Sequence, residues 1–391
     1  MSASPQWRFL AVLALPAGLA LTVWSLSAWS LSPWSISGAA DLSPTFFIAL
    51  TPLLSIHLAL PLLDALFGDD ASPAQAGAQH PLNAVLPMLC LPAWLAVLLA
   101  STQASLAIGG ATWWALAASA GATGGIVAIN VGHELIHRPT RLQRLIGGLL
   151  LASVGYGVFK VEHVRGHHLR VATPEDGASA PRGEGLWHFV PRSVVSTFGH
   201  AWTLESQRLT RRYPSSTAGS TWRRVAGNEA LAWILVSLLF AMAIGLTLGI
   251  EAILFWALAS AFAILELEII NYIEHYGLQR QRKADGRYEA VEPRHSWNAN
   301  TALVNAFLLN LQRHSDHHAH GAKPYVGLGS VSSAPQMPAG YGAMVMLALV
   351  PPLWRSVMDV RLDRYQEKYQ ESTGAETTGP ETSAPEGRAG G

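Results

Sequence analysis

The chain has 391 residues, of which 50% are hydrophobic and only 13% charged, with 26 basic and 26 acidic side chains and no net charge. Soluble domains carry about 25% charged residues, so the composition argues against an ordinary soluble protein, and the charge balance argues against a polyanionic partner such as nucleic acid. The single cysteine, Cys90, excludes an internal disulfide and a cysteine-ligated iron–sulfur or rubredoxin-like module within the sequence.

Taken in chain order, six apolar runs approach the roughly 20 residues that a bilayer core requires. They fall at 9–30, 45–67, 84–101, 107–131, 230–249 and 252–273. The first follows Arg8 but is long and has no clear small-residue cleavage site, so it reads as an anchor. It leads into "WSLSAWSLSPWSISG", where Trp24, Trp29 and Trp34 suit an aromatic belt at a membrane interface. A shorter apolar stretch from Tyr341 is broken by Pro351 and Pro352 and is expected to be interfacial or re-entrant. Residues 370–391 are polar and rich in Pro and Gly, the composition of a disordered tail. The fold class expected is an all-α integral membrane bundle of six spans, forming one catalytic domain over 1–369 with a cytoplasmic helical cap.

Orientation follows from the cations. Arg8 is the only Lys or Arg before Arg138, and the loops at 31–44 and 68–83 have none. The tract 138–228 and the region after 279 are rich in them. The positive-inside rule then places the N-terminus, that tract and the C-terminal region in the cytoplasm.

Most of the fifteen histidines fall in four groups. His133 and His137 lie in "GHELIH"; His163, His167 and His168 in "EHVRGHHLR"; His275 in "NYIEHYG"; His314, His317 and His318 in "LQRHSDHHAH". The first and third groups directly follow the fourth and sixth spans, so all four can meet at the cytoplasmic ends of the helices. His133 and His137, His163 and His167, and His314 and His318 each stand four apart, a spacing that shares one helix face. Taken alone, HELIH is the H-E-x-x-H pattern of a zinc protease, with Glu134 as base. That reading leaves seven imidazoles without a role. A catalytic zinc takes three protein ligands, and nine imidazoles suit two ions with open positions. Metal-bound imidazoles usually donate their second N–H to a carboxylate or carbonyl, and Glu134, Glu162, Glu268, Glu274 and Asp316 stand close enough in sequence to serve. A histidine-rich transporter would instead place its imidazoles at mid-membrane.

"HELIHR", "EHVRGHHLRVATPEDGAS", "NYIEHYGL" and "LQRHSDHHAH" resemble the histidine motifs of the membrane-bound alkane 1-monooxygenases of the fatty acid desaturase-like superfamily. "ALPLLDALFGDD", "LESQRLTRR", "DGRYEAVEPRHSWNAN" and "WRSVMD" extend the likeness over about 45–360. Where relatives are expected to be more basic, this chain has "GAKPYVGL" after its last motif. The resemblance implies two non-haem irons held by His133, His137, His163, His167, His168, His275, His314, His317 and His318. His320 extends the fourth motif but is left out of the set. O2 is the implied oxidant, and the implied reaction puts a hydroxyl on the terminal methyl of a medium- or long-chain n-alkane. Electrons are implied to come from NAD(P)H through rubredoxin reductase and rubredoxin, at the inner membrane of a bacterial-type cell. Such chemistry needs a redox metal, which disfavours zinc.

An alkane has no polar handle and is expected to enter from the bilayer, between the spans. Ile56, His57, Leu58, Trp113 and Trp114 are candidate lining residues, and His57 is also expected to hydrogen-bond to a neighbouring helix. Rubredoxin is acidic, so Arg208, Arg211, Arg212, Arg280, Arg282 and Lys283 are candidates for its docking face, although membrane lipids attract the same residues. His295, Trp297 and Asn298 of "HSWNAN" either support the metal site or cap a helix. A xylene-type methyl hydroxylase and a fatty acyl desaturase remain the nearest alternatives, and an intramembrane zinc protease the alternative from another class.

Overall fold

The computed structural model describes residues 6–30, 43–70, 81–216 and 219–373. Among them the structure is helical, with isolated bridges in place of strands. Six helices are long and apolar enough to cross a membrane. They are α1 (Trp7–Trp29), α2 (Pro44–Phe67), α3 (Pro81–Ser105), α4 (Gly110–Ile136), α8 (Glu229–Leu248) and α9 (Ile250–His275). Between the fourth and fifth lie α5 (Arg141–Ser153), α6 (159–170) and α7 (Leu186–Arg212). After the sixth come α10 (Ala302–Phe307), α11 (His314–Ala319), α12 (Tyr341–Ala348) and α13 (Pro351–Thr373).

The spans coincide with the apolar runs but run on through polar residues at their ends. α4 continues past Asn130 to Ile136 and α9 continues to His275, so the histidines that seemed to follow the spans lie in their last turns. Being the fourth and sixth crossings, these two helices end at the same side of the bundle. The stretch from Tyr341 is a short helix whose Tyr341, Met344, Val345 and Ala348 are buried. α13 runs through residue 370 to Thr373, so the tail boundary expected at 370 falls inside a helix. Residues 374–391 and Trp34 lie outside the described residues.

α4 is the axis of the bundle, contacted by α1, α2, α3 and α9. Its small residues permit this: Ala115, Ala117, Ala120, Gly121, Ala122 and Gly124 are all buried. A Cβ on Gly121 would lie 2.3 Å from Cβ of Phe262 and 2.7 Å from the Ala259 carbonyl oxygen. The backbones of α4 and α9 can therefore cross only over glycine. Three π-helical stretches interrupt the helices, at Ser55–Ala59, Gly125–Asn130 and His163–His167. Such bulges concentrate at functional sites. In α2 the cause is local: Pro61 has no N–H to give to the carbonyl four residues back, and its ring would clash there.

Candidate metal centre

The nine histidines of the four motifs converge as two groups. His133, His137, His163, His168 and His317 form one; His167, His275, His314 and His318 form the other, and within each group the ring nitrogens lie within 4.8 Å of one another. Most of these side chains are buried, with His137 and His168 half-buried. Local geometry decides who joins which group. His133 and His137 stand one α-helical turn apart and stay together, as do His314 and His318, while His317 points to the other group. His163 and His167 do not share a face. The π turn bonds the His168 N–H back to the His163 carbonyl, five residues earlier. His163 and His168 thus meet edge to face, with Nε2 atoms 3.0 Å apart, and His167 turns into the second group. The shared face expected for His163 and His167 is replaced by this five-residue spacing.

Further Nε2–Nε2 distances are 3.2 Å for His168–His317 and His167–His318, 3.3 Å for His275–His314 and 2.8 Å for His314–His318. A neutral imidazole has one N–H, so such a convergence cannot be satisfied by hydrogen bonds within the cluster alone. Nε2 of His133 and of His137 is buried with no partner. Burial, together with the neighbouring imidazoles, holds His137, His163, His168, His314, His317 and His318 well below the usual histidine pKa. Neutral imidazoles with converging lone pairs are what a metal requires. A non-haem metal centre fits these residues.

The carboxylates are arranged differently from the sequence expectation. Glu134 pairs with Arg138 at 3.3 Å and accepts from the Tyr325 N–H. Glu162 pairs with Arg170, and Asp316 pairs with Lys323 and accepts from the Gly329 N–H. Glu268 accepts from the Tyr156 hydroxyl and the Asn271 amide. None of these four touches a ring of the two groups. Glu274 does, but at the converging nitrogen: its Oε2 is 3.1 Å from Nε2 of His314, while its Oε1 accepts from the Tyr341 hydroxyl. The carboxylate that supports a ring from behind is Asp176, whose Oδ2 lies 3.0 Å from Nδ1 of His167. Ser179 donates to the same oxygen at 2.6 Å. Burial disfavours charge on His167, yet Asp176 outweighs it and raises the His167 pKa. Ser296 Oγ is 3.4 Å from Nδ1 of His275. His295 belongs to a cap, its Nδ1 accepting from the Glu292 N–H. Asp176 and Ser296 were missed because neither adjoins a histidine motif's core, though Asp176 sits within the "TPEDGAS" extension of the second motif.

An apolar cavity reaches the cluster from within the bundle. Its walls include Ile56, Leu60, Ile126, Ile129, Leu308 and Val345, and His133, His163 and His314 face its inner end. Ile56 and His57 line it, and Leu58 does not, being exposed on the outer side of α2. Trp113 and Trp114 do not line it either. Trp113 packs against Phe255, and Trp114 is exposed. They stand some 20 residues, or about 30 Å of helix, before His133.

Residues 111–348 match the fatty acid desaturase family. The chain is 43% identical over 318 residues to an alkane 1-monooxygenase 2 of Alcanivorax borkumensis, covering 79% of this chain and 81% of that protein. An alkane 1-monooxygenase 2 of Pseudomonas aeruginosa is also 43% identical, over 80% of this chain and 84% of its own length. This chain belongs to the alkane 1-monooxygenase family. A more distant relative is the hydroxylase component of a Pseudomonas putida xylene/toluene monooxygenase, 31% identical over 59% of each chain.

As an alkane 1-monooxygenase family member, the chain needs a redox partner, and the basic residues expected to meet it differ in availability. Arg208 is bound to Glu205 at 2.8 Å, and Arg280 donates to the backbone carbonyls of Leu169 and Glu289. Arg282 donates to the Gly286 carbonyl, and Arg212 lies over the Tyr213 ring. Arg211 and Lys283 are exposed and have no polar side-chain partner among the described residues.

Proposed function

We propose that the chain hydroxylates the terminal methyl of medium- or long-chain n-alkanes at a non-haem di-iron site, using O2 and electrons delivered by rubredoxin. The observation that carries this reading is the meeting of two structures: an apolar cavity inside the spans, and a cluster of nine imidazoles of which His133, His163 and His314 face its inner end. The names of the relatives support the same substrate class.

One iron would be held by His133, His137, His163, His168 and His317, the other by His167, His275, His314 and His318, with Glu274 beside the second. Bound iron supplies the redox chemistry by which O2 is reduced, one oxygen atom going to carbon and the other leaving as water. The protein's own task is placement. Ile126, Ile129 and Leu308 would exclude water and hold a bound chain against apolar walls whose inner end is faced by His133 and His314. Asp176 accepts a hydrogen bond from Nδ1–H of His167 and so keeps the Nε2 lone pair directed at the centre. Glu274 is held at the centre by Tyr341.

The cation distribution supports an inner-membrane chain with cytoplasmic termini and a cytoplasmic metal centre. Arg211, Arg212, Arg282 and Lys283 offer exposed positive charge to an acidic electron carrier, which speeds association. The test is iron content of the purified chain together with product analysis on octane, hexadecane and xylene, with rubredoxin and its reductase supplied. Two irons and 1-alkanols support the reading. One zinc and no iron ends it, and a benzylic alcohol as sole product moves the substrate to aromatic methyl groups.

A further inference from the structure

The cavity contains something a hydrocarbon does not use. His57 and Glu266 face it, and His57 Nε2 lies 2.9 Å from Glu266 Oε1. They belong to two different spans, α2 and α9, and their side chains are only 14% and 21% exposed. Ionisable groups within a membrane span are costly and call for a function. Tying two helices together is served by the contact itself, but the pair is not saturated. Both ring nitrogens of His57 are buried without a well-aligned hydrogen bond, Nε2 in spite of its approach to Glu266 Oε1, and Oε2 of Glu266 has no partner among the described residues. Around the pair the walls are apolar: Ile56, Leu60, Ile126 and Leu267.

The position of the pair can be measured along the helices. Glu266 stands eight residues before Glu274 on α9 and packs against Gly125, which stands eight residues before His133 on α4. Both counts correspond to about 12 Å of helix rise. An extended carbon chain, with bonds near 1.5 Å, advances about 1.3 Å per carbon, so the interval holds roughly nine or ten carbons. The cavity therefore offers a largely apolar passage with the His57–Glu266 pair at a set distance from the metal centre, Asn130 and Asn271 lining it nearer the histidines.

We propose that this pair is a binding site for the hydroxyl of a medium-chain 1-alkanol, holding it so that the far methyl reaches the metal centre. A hydroxyl both donates and accepts, which matches an acceptor carboxylate beside an imidazole whose one N–H and one lone pair are both without a partner; a carboxylate head group would set a second carboxylate against Glu266. The inference rests on the hydroxylase reading above. The reaction is HOCH2–R–CH3 + O2 + 2 e⁻ + 2 H⁺ → HOCH2–R–CH2OH + H2O, the electrons coming from the same one-electron carrier as for an alkane. Oxygen is reduced, the terminal carbon is oxidised, and the product is an α,ω-diol.

The test uses the full-length, iron-loaded chain in lipid nanodiscs with rubredoxin and its reductase, fed n-decane and the C6 to C16 1-alkanols. Diol formation should peak near ten carbons, as should equilibrium binding of radiolabelled alkanols, which needs no turnover. In His57→Leu and, separately, Glu266→Gln, the ratio of alkanol to alkane turnover should fall about tenfold, and alkanol binding should weaken likewise, the effect of one or two buried hydrogen bonds. Normal alkane turnover with no diol, or alkanol binding without a chain-length optimum, overturns the inference and leaves the hydroxylase reading intact. An unchanged ratio in both variants assigns the pair to helix packing and also overturns it. Iron-loaded protein that turns over neither substrate sinks the hydroxylase reading itself.

Discussion

The Asp176 carboxylate lies 3.0 Å from Nδ1 of His167, opposite the Nε2 that approaches His318 to 3.2 Å. A carboxylate so placed sets the tautomer, fixes the ring plane and raises the basicity of the far nitrogen. Asp176→Asn retains size and a polar atom but loses the charge. Iron affinity should fall about 10- to 100-fold with the fold intact, measured by competition with a chelator. Undiminished affinity would mean that Asp176 serves only the Ser179 turn.

Glu274 acts from the other side. It reaches the His314 nitrogen that also faces His275 and His318, so in the proposed reading it stands beside the second metal. Glu274→Ala should release iron from the four-histidine group first, leaving about one iron per chain. Tyr341→Phe, which removes only the hydroxyl that holds Glu274, should keep both irons and weaken the second by less. Equal loss in the two variants would place Tyr341, and not Glu274, in control.

A salt-bridge cluster anchors the π turn that carries His163 and His167. Arg165, between them, binds Glu205 of α7 and Glu229 of α8. Glu205 also accepts from Arg208 and from the Glu229 N–H. Burial opposes its charge, but those hydrogen bonds and Arg165 outweigh burial and hold its pKa below the usual range. A carboxylate depressed in the folded state stabilises above its unfolded pKa, and this stability is lost as pH falls through the folded value. Glu205→Ala should cost about 2 kcal/mol at pH 7, below the roughly 3–5 kcal/mol of a fully buried pair because both arginines are partly exposed. The gap from wild type should begin to narrow as pH falls below about 4.3, the ordinary glutamate value, read by thermal unfolding in detergent. A gap that does not narrow at all on acidification would point to packing instead of charge.

Much of this was legible in one dimension, and the reasons for the rest are physical. Spans declare themselves because a bilayer demands some 20 apolar residues in a row. Their ends do not, since hydropathy stops at Asn130 while the helix continues to Ile136. That three further motifs can meet HELIH followed from two groups adjoining span ends and two lying in cytoplasmic tracts; that His163 leaves His167 did not, because the four-residue spacing reads as an α-helical turn. Trp113 and Trp114 were plausible cavity residues only while the length of α4 was ignored. The carboxylates nearest in sequence turned to arginines and lysines, and the one behind His167 came from a turn nine residues on.

The glycine crossing of α4 over α9 brings the helices bearing His133 and His275 together. Gly121→Ala would place a methyl 2.3 Å from Phe262, and the backbone oxygen of Ala259 cannot rotate away. Overpacking of this kind costs about 1–3 kcal/mol. Lowered thermal stability is expected, with iron lost in parallel. Gly18→Ala, where nothing lies within 4 Å, is the control and should be silent. Equal melting temperatures for Gly121→Ala and wild type would show that the crossing is loose.

The partition of the histidines makes the sharpest demand on the π turn. If His163 and His168 share one iron and His167 serves the other, single alanine variants at any of the three should each lower iron by about one per chain. His167→Ala should also abolish hydroxylation. The double variants then diverge. His163→Ala with His168→Ala removes two ligands of one ion and should leave about one iron; His163→Ala with His167→Ala strikes both ions and should leave almost none. An α-helical turn would pair His163 with His167 and reverse the two outcomes. Iron per chain by elemental analysis, normalised to folded protein, decides between them.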